Sequence, residues 1–234
     1  MNKRLTQPFF FQSALELAPV LLGKYLCRKL DDGTIKRIRI TETEAYYGTD
    51  DTACHAHKGK TERNKIMWEK GGTAYVYLCY GVHYLFNIIC GKEGFPEGVL
   101  IRGIEGFDGP GKLTKFLQIT KALNYEDLVT SQNLWLEDGE QFEFETLKRV
   151  GIDYAEEKDR KILWRFRAKE KGFAVAPLNP SPKILFHILL NAPLISSIIS
   201  SIFSSPTENL IIPGAIPQAT NCSSVSWRCV ALAG

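Results

Sequence analysis

Residues 73–89, TAYVYLCYGVHYLFNII, are two runs of aromatic and β-branched residues that meet at Tyr80-Gly81. Such runs fit a pleated, half-buried surface, and a glycine at the junction tolerates the positive φ that a tight turn requires. The stretch therefore predicts a β-hairpin with a tyrosine exposed at its tip. Downstream, VLIRGI (99–104) reads as a third strand that runs into the glycine-rich turn DGPGKL (108–113) and a helical-looking segment around Leu113–Ile119. Upstream, RIRITETEAY (37–46) alternates strictly. Ile38, Ile40, Glu42, Glu44 and Tyr46 then share one strand face, so that two carboxylates continue an apolar face. Nearer the N-terminus, Ser13 is placed to cap a short helix over 14–22 that Gly23 ends, with Pro19 predicting a kink. Strands outnumber helices before residue 110.

The rest of the composition sets bounds. A chain of 234 residues, 44% hydrophobic and 11% aromatic, supports one substantial core and excludes disorder throughout. A net charge of +3 favours a polyanionic partner only mildly, because many soluble enzymes carry the same balance. The six cysteines (Cys27, Cys54, Cys79, Cys90, Cys222, Cys229) form no CxxC pair and read as reduced thiols of an intracellular protein. Lys3 and Arg4 precede a partly apolar stretch, but Gln7, Gln12 and Glu16 interrupt it, and no signal peptide is read. Charge thins out at Val175: from Ala176 to Gly234 only Lys183, Glu208 and Arg228 are charged. A boundary is expected near 174–180, giving a domain over 1–175 and a low-charge tail over 176–234. The uncharged run Ile184–Thr207 has the length of a bilayer span, about 20 residues, but His187, Asn191, Pro193 and its serines argue against insertion.

A carboxylate on a core-facing strand is costly unless it is paired or lines a cleft. For Glu42 the favoured reading is a structural ion pair with an Arg or Lys, or an exposed strand end; for Glu44 it is a base that activates water. Tyr46 follows on the same face, and Tyr75 and Tyr77 share a face of another strand. Each tyrosine alone reads as core packing, whereas their grouping with a carboxylate makes an aromatic box for a flat, electron-poor ring. Two other patterns fail. CHAH (54–57) sets its ligands too close together for a zinc site. GFDGPGK (106–112) imitates a P-loop, but Leu113 stands where a magnesium-holding hydroxyl belongs. The amides of Gly109 and Gly111 at a helix start suit a phosphate instead. Lys58, Lys60, Arg63, Lys65 and Lys70, tempered by Glu62 and Glu69, form a basic segment able to neutralise phosphates, or an ordinary solvated loop.

ETEAYYG (42–48), His55, TERN (61–64), GTAYVYLCYGVHYLFNI (72–88), LIR (100–102) and GPGKL (109–113) together resemble the alkyladenine (3-methyladenine) DNA glycosylase family, over roughly Phe10 to Val175. The resemblance implies an α+β fold: a single domain with a curved, largely antiparallel sheet, peripheral helices and a projecting β-hairpin. It implies a repair enzyme that flips damaged, often alkylated, purines out of the duplex and hydrolyses the N-glycosidic bond without strand cleavage. In that reading Glu44 is the general base and Arg102 positions and polarises the site. Tyr46, His55 and Tyr77 wall the flipped base, and the bulk of Asn87 disfavours the exocyclic amine of guanine. Tyr80 is a wedge that fills the vacated stack, and Val82, Thr61, Arg63, Gly109 and Gly111 meet the DNA backbone.

No metal or cofactor is implied, and the partner is double-stranded DNA containing damaged purines. The chain is expected to act as a monomer, to stay out of membranes and to reside inside the cell with the DNA. One departure stands out: only six residues separate Arg102 from Gly109, where family members usually carry a longer insertion. Two rivals remain, a non-catalytic lesion-binding protein of the same fold and a carbohydrate hydrolase using Glu42 and Glu44.

Overall fold

Residues 3–169 are described by a computed structural model; the boundary near 174–180 and every expectation for the tail over 176–234 lie outside them. In chain order the elements are α1 (Ala14–Val20), β1 (Tyr25–Lys29), β2 (Ile35–Tyr47), β3 (Ala74–Cys79), β4 (His83–Ile89), β5 (Glu97–Ile104), β6 (Phe107–Asp108), α2 (Pro110–Phe116), β7 (Leu134–Glu137), β8 (Phe144–Leu147), α3 (Glu157–Lys161) and β9 (Arg165–Ala168). The main path of the sheet runs β3-β4-β5-β2-β1-β7, with β6 on β5 and a β8–β9 hairpin on β2. Each of these pairings is antiparallel. The sheet curls, helices are few and peripheral, and the α+β expectation holds for the described residues.

Alternation along β3, β4 and β5 divides the sheet into two faces. Ala74, Val76, Phe86, Ile88, Val99 and Ile101 join Leu17 and Leu21 near α1 and Leu113 and Leu117 near α2 in one core. Burying each large side chain of this kind contributes about 1.5–3 kcal/mol. Tyr75, Tyr77, Asn87 and Arg102 occupy the alternate positions, and the site lies on their face. The helix expected over 14–22 is observed over Ala14–Val20, with Ser13 and Glu16 forming a reciprocal capping box. Pro19 falls in its last turn, where its missing N–H removes the intrahelical bond to Leu15 O, and Gly23 follows at φ 87°. The Thr43 hydroxyl donates to Ala18 O at 2.8 Å, which ties α1 to the middle of β2.

The expectation that Glu42 and Glu44 extend the face of Ile38 and Ile40 is corrected by an irregularity in the sheet. Ile40 pairs with Ile104, Glu42 with Gly103 and Thr43 with Ile101, so an extra residue is taken up first on β2 and then on β5. Both strands change face there and the register recovers. Ile40 and Ala45 both reach the core, as do Ile104 and Ile101, while Glu44 turns to the other side. A regular β2 would have driven both carboxylates into the apolar layer under α1, at severe desolvation cost. Gly103 is required at the crossing: a Cβ there would lie 2.9 Å from Thr41 Oγ1 and 3.0 Å from Glu42 Cβ.

The β3–β4 hairpin forms as expected, with Cys79 paired to His83 across the three-residue loop Tyr80–Val82. Both Tyr80 (φ 49°) and Gly81 (φ 71°) are left-handed. Glycine adopts this freely, whereas a tyrosine there carries about 1–2 kcal/mol of strain. The tip holds an aromatic side chain in water: Tyr80 is 93% exposed. The short segment after Arg102 is a tight hairpin in which β6 folds back on β5 before α2 begins.

Candidate active site

Tyr75, Asn87, Leu100, Glu44 and Arg165 form one register row across β3, β4, β5, β2 and β9. Antiparallel partners point to the same face, so the sheet itself sets these side chains side by side. Leu100 of this row lines a cleft of about 840 Å³, a size usual for ligand sites, about 300–1,000 Å³, and Glu44, its register partner, is buried next to it. At one end the cleft continues into an aromatic recess lined by Tyr46, His55, Tyr75, Tyr77, Asn87 and Tyr154. Here the rings crowd together: the His55 and Tyr77 centroids are 4.7 Å apart, and those of Tyr75 and Tyr77 5.2 Å. Tyr80, Arg63 and Arg102 line the outer cleft.

Glu44 is fully buried. Its Oε1 accepts the Val150 N–H at 2.8 Å and its Oε2 accepts the Tyr46 hydroxyl at 3.0 Å. The Arg102 guanidinium stands off at 3.5 Å. An ionised carboxylate has about four acceptor sites, so two remain after these donors. Burial pushes the Glu44 carboxyl above the ordinary glutamate value; Arg102, the Val150 amide, Tyr46 and Arg165 pull the other way and only partly offset it. A carboxylate so placed is a stronger proton acceptor than one in water. The Tyr46 hydroxyl is raised well above its usual value by burial and by Glu44, so it donates rather than ionises. His55 is lowered by burial and by Arg63, which keeps the imidazole neutral. Its Nδ1 lies 3.0 Å from the Tyr75 hydroxyl.

Other expected residues fall differently. Glu42 is held by Arg165 at 2.7 Å, the structural ion pair that its position suggested. Thr61 is spent on its own loop, with its amide and hydroxyl both donating to Asn64 Oδ1 at 2.6 and 2.9 Å. Val82 is exposed beside Tyr80. The Gly109 N–H donates to Arg102 O at 3.0 Å, so of the two amides expected to hold a phosphate that of Gly109 is already used. Gly111 packs under His83, and a Cβ there would approach its ring to 2.8 Å. Lys65 pairs with Glu62 and Lys70 with Asp127. Among the described residues no three His, Cys, Asp or Glu side chains converge as a metal-holding set, and none of the described helices is long and apolar enough to cross a membrane.

Sequence reading missed the second wall. Arg149 is buried and grips Asp51 with two hydrogen bonds of 2.6 and 2.9 Å, while also donating to Ala45 O at 3.1 Å. That clamp fixes the turn after β2 and, one residue on, the Val150 amide facing Glu44. The Arg149 guanidinium also lies 4.9 Å from the Tyr46 ring centroid, on which it stacks. Asn64 donates to His55 O at 2.7 Å and to Gly59 O at 2.9 Å, fixing the loop that carries His55. Tyr154 completes the recess and donates to Ala53 O at 2.9 Å. The Arg-Asp clamp spans nearly a hundred residues and leaves no local pattern to read.

A desolvated carboxylate beside a recess walled by aromatic rings is an arrangement that can hold a flat ring and carry out acid–base chemistry at its edge. The model of the methylpurine-DNA glycosylase family matches residues 8–109 and 105–172. Two proteins named "Putative 3-methyladenine DNA glycosylase", from Borreliella burgdorferi (strain ZS7) and Borreliella afzelii (strain PKo), are 43% and 44% identical over 179 residues, covering 70% of this chain and 96% of theirs. One of the same name from Natranaerobius thermophilus is 40% identical over 195 residues, covering 73% of this chain and 98% of its own. The chain belongs to the methylpurine-DNA glycosylase family, and so to the hydrolases of DNA repair.

Proposed function

We propose that the protein excises alkylated and otherwise damaged purines from double-stranded DNA by flipping the nucleotide into the aromatic recess and hydrolysing its N-glycosidic bond. The observation that carries this reading is the contact of Glu44 with Tyr46: one buried base and one wall of the recess are hydrogen-bonded at 3.0 Å. A ring entering between Tyr46 and the His55–Tyr77 pair brings its sugar bond toward the carboxylate. There Glu44 takes a proton from water as an oxocarbenium-like sugar develops, and Arg102 helps orient that water. A cationic alkylpurine gains about 0.5–2 kcal/mol from aromatic faces beyond stacking, and a neutral His55 adds no repulsion. Asn87, on the floor of the recess, disfavours the exocyclic amine of guanine by its bulk.

Tyr80 is the wedge for the vacated stack, with Val82 beside it. Arg63 and the free Gly111 amide serve the phosphates, while Thr61 acts through the shape of its loop. Among the described residues no lysine lines the recess, and Lys58 lines only the outer cleft, so the proposed reaction uses no lysine Schiff base and stops at base release. The test is release of methylated bases from alkylated duplex. Wild-type protein should release them, and Glu44→Gln should bind the lesion yet excise it about 10²–10⁴-fold more slowly. Lesion binding without release by the wild type would favour a non-catalytic binder instead.

A further inference from the structure

The reaction proposed above leaves unused a buried carboxylate on the strand face of its own base. Glu42 lies two residues before Glu44 on the same face of β2, so the two side chains start about 6.5–7 Å apart. Both compete for Arg102, whose Nε is 3.6 Å from Glu42 Oε1 and whose Nη1 is 3.5 Å from Glu44 Oε1. Neither is a charge-assisted hydrogen bond, which would close to about 2.7–2.9 Å. Arg102 Nε is in fact buried with no hydrogen-bond partner. The oxygen of Glu42 nearest Arg102 is already taken, because Arg165 Nη1 donates to it at 2.7 Å while Arg165 Nε is anchored on Lys148 O at 2.6 Å.

We propose that the Glu42–Arg165 ion pair is a positioning device for Arg102, holding its guanidinium between two carboxylates with donors unspent on the side of the cleft. Glu42 alone would draw Arg102 into a closed pair away from Glu44; Arg165, by occupying Glu42, prevents that. Without Glu42 nothing would hold Arg102 back from Glu44, and a closed Arg102–Glu44 pair would leave Glu44 a weaker base. The device thus keeps Glu44 basic and Arg102 free at once. Glu44 is faced by Arg102 from β5, Arg165 from β9, Tyr46 and Glu42 from β2, Tyr77 from β3, and Arg149 and the Val150 amide from the segment before α3. Of these, only Glu42 and Arg165 act on it through Arg102 in this scheme.

The proposal rests on Glu44 as the base, so its test needs a readout that does not depend on excision. Glu44 should be titrated by carboxyl NMR in the full chain, beside the pH profile of single-turnover excision. Arg165→Gln should release Glu42 onto Arg102 and move the acid limb to higher pH, slowing excision on that limb by about tenfold, the lower end of what a nearby opposite charge does. Glu42→Gln should move it to lower pH, and Arg165→Lys, which keeps the charge, should leave it in place. In an Arg102→Met background the NMR shift from Arg165→Gln should shrink. Shifts of the same sign in Glu42→Gln and Arg165→Gln, or an undiminished shift without Arg102, would overturn the positioning role. An excision-competent Glu44→Gln would instead sink the reading of Glu44 as base while leaving the NMR comparison to judge the positioning.

Discussion

The cleft has two sides held by different forces. One is carried by β2, β3, β4 and β5 and presents Tyr46, Tyr75, Tyr77, Asn87 and Arg102, with the buried Glu44 hydrogen-bonded to Tyr46, from a sheet whose other face is the apolar core. The other is carried by the chain after β2 and by the segment before α3, and presents His55, Val150 and Tyr154. Its small hydrophobic clusters are one in which Ile66 and Met67 pack with Tyr75 and Ile89 of the sheet, and a smaller one of Ala53, Ile152 and Ala155. Buried polar anchors do most of the holding there: Arg149 on Asp51, Asn64 on His55 O, and Asp159 accepting the Thr52 amide at 3.0 Å. The sheet side places chemistry where backbone register dictates. The loop side places it where a few charged or amide side chains dictate, so single substitutions should damage the loop side far more selectively.

The largest effect expected from that contrast is at Asp51. Asp51→Ala leaves Arg149 charged, buried and unpaired, and breaking such a pair costs about 3–5 kcal/mol. For a domain of this size that is roughly 2–4 °C in Tm per kcal/mol. Denaturant unfolding should show a lower midpoint for the single variant and partial recovery when Arg149→Met is added, since the stranded charge is then gone. A midpoint equal to wild type would mean that the loop side is held by its apolar contacts after all.

Asn64→Ala should do less to global stability and more to the site. It removes the bonds to the His55 and Gly59 carbonyls and the two that Asn64 Oδ1 accepts from Thr61, a loss of about 1–3 kcal/mol or more that falls on one loop. Lesion affinity should drop while excision of bound lesion changes little, because Glu44 and Arg102 sit on the sheet side. An equal drop in both would show that the two sides are not separable.

The same contrast decides what the sequence made legible. Periodicity shows β2 to β5, the hairpin turn and the Ser13 cap, because these are local patterns of residue type, and Glu44, Tyr46, Tyr75 and Tyr77 could be grouped from them. Asn87, His55 and Arg102 entered only through motif resemblance. Alternation gave the wrong partner face for the carboxylates, since compensating irregularities at Glu42 and Gly103 leave no signal in hydrophobic pattern. Arg149, Val150 and Tyr154 were invisible for another reason. Their partners are 98, 106 and 101 residues away, and a backbone amide that caps a carboxylate has no side-chain signature at all.

The smallest effect has the most telling sign. Burial raises the folded-state pKa of Glu44 above its unfolded value. Between those two values the native protein binds the extra proton, so stability falls as pH rises through that window and stays lower above it. If Glu44 is the base proposed above, activity runs oppositely, because a base must be ionised and excision is lost as pH falls through the folded value. Glu44→Gln keeps the shape and the acceptor for the Val150 amide but has no charge to desolvate. It should match wild type in unfolding free energy below the window and exceed it at neutral pH, while excising almost nothing. Denaturant unfolding of both proteins across acid to neutral pH reads this directly, and a variant less stable than wild type at neutral pH would mean that Arg102, Tyr46 and the Val150 amide fully compensate the buried charge. A gain there would show the sheet side carrying a group kept for chemistry at the expense of stability, whereas the Arg149–Asp51 clamp across the cleft holds the fold.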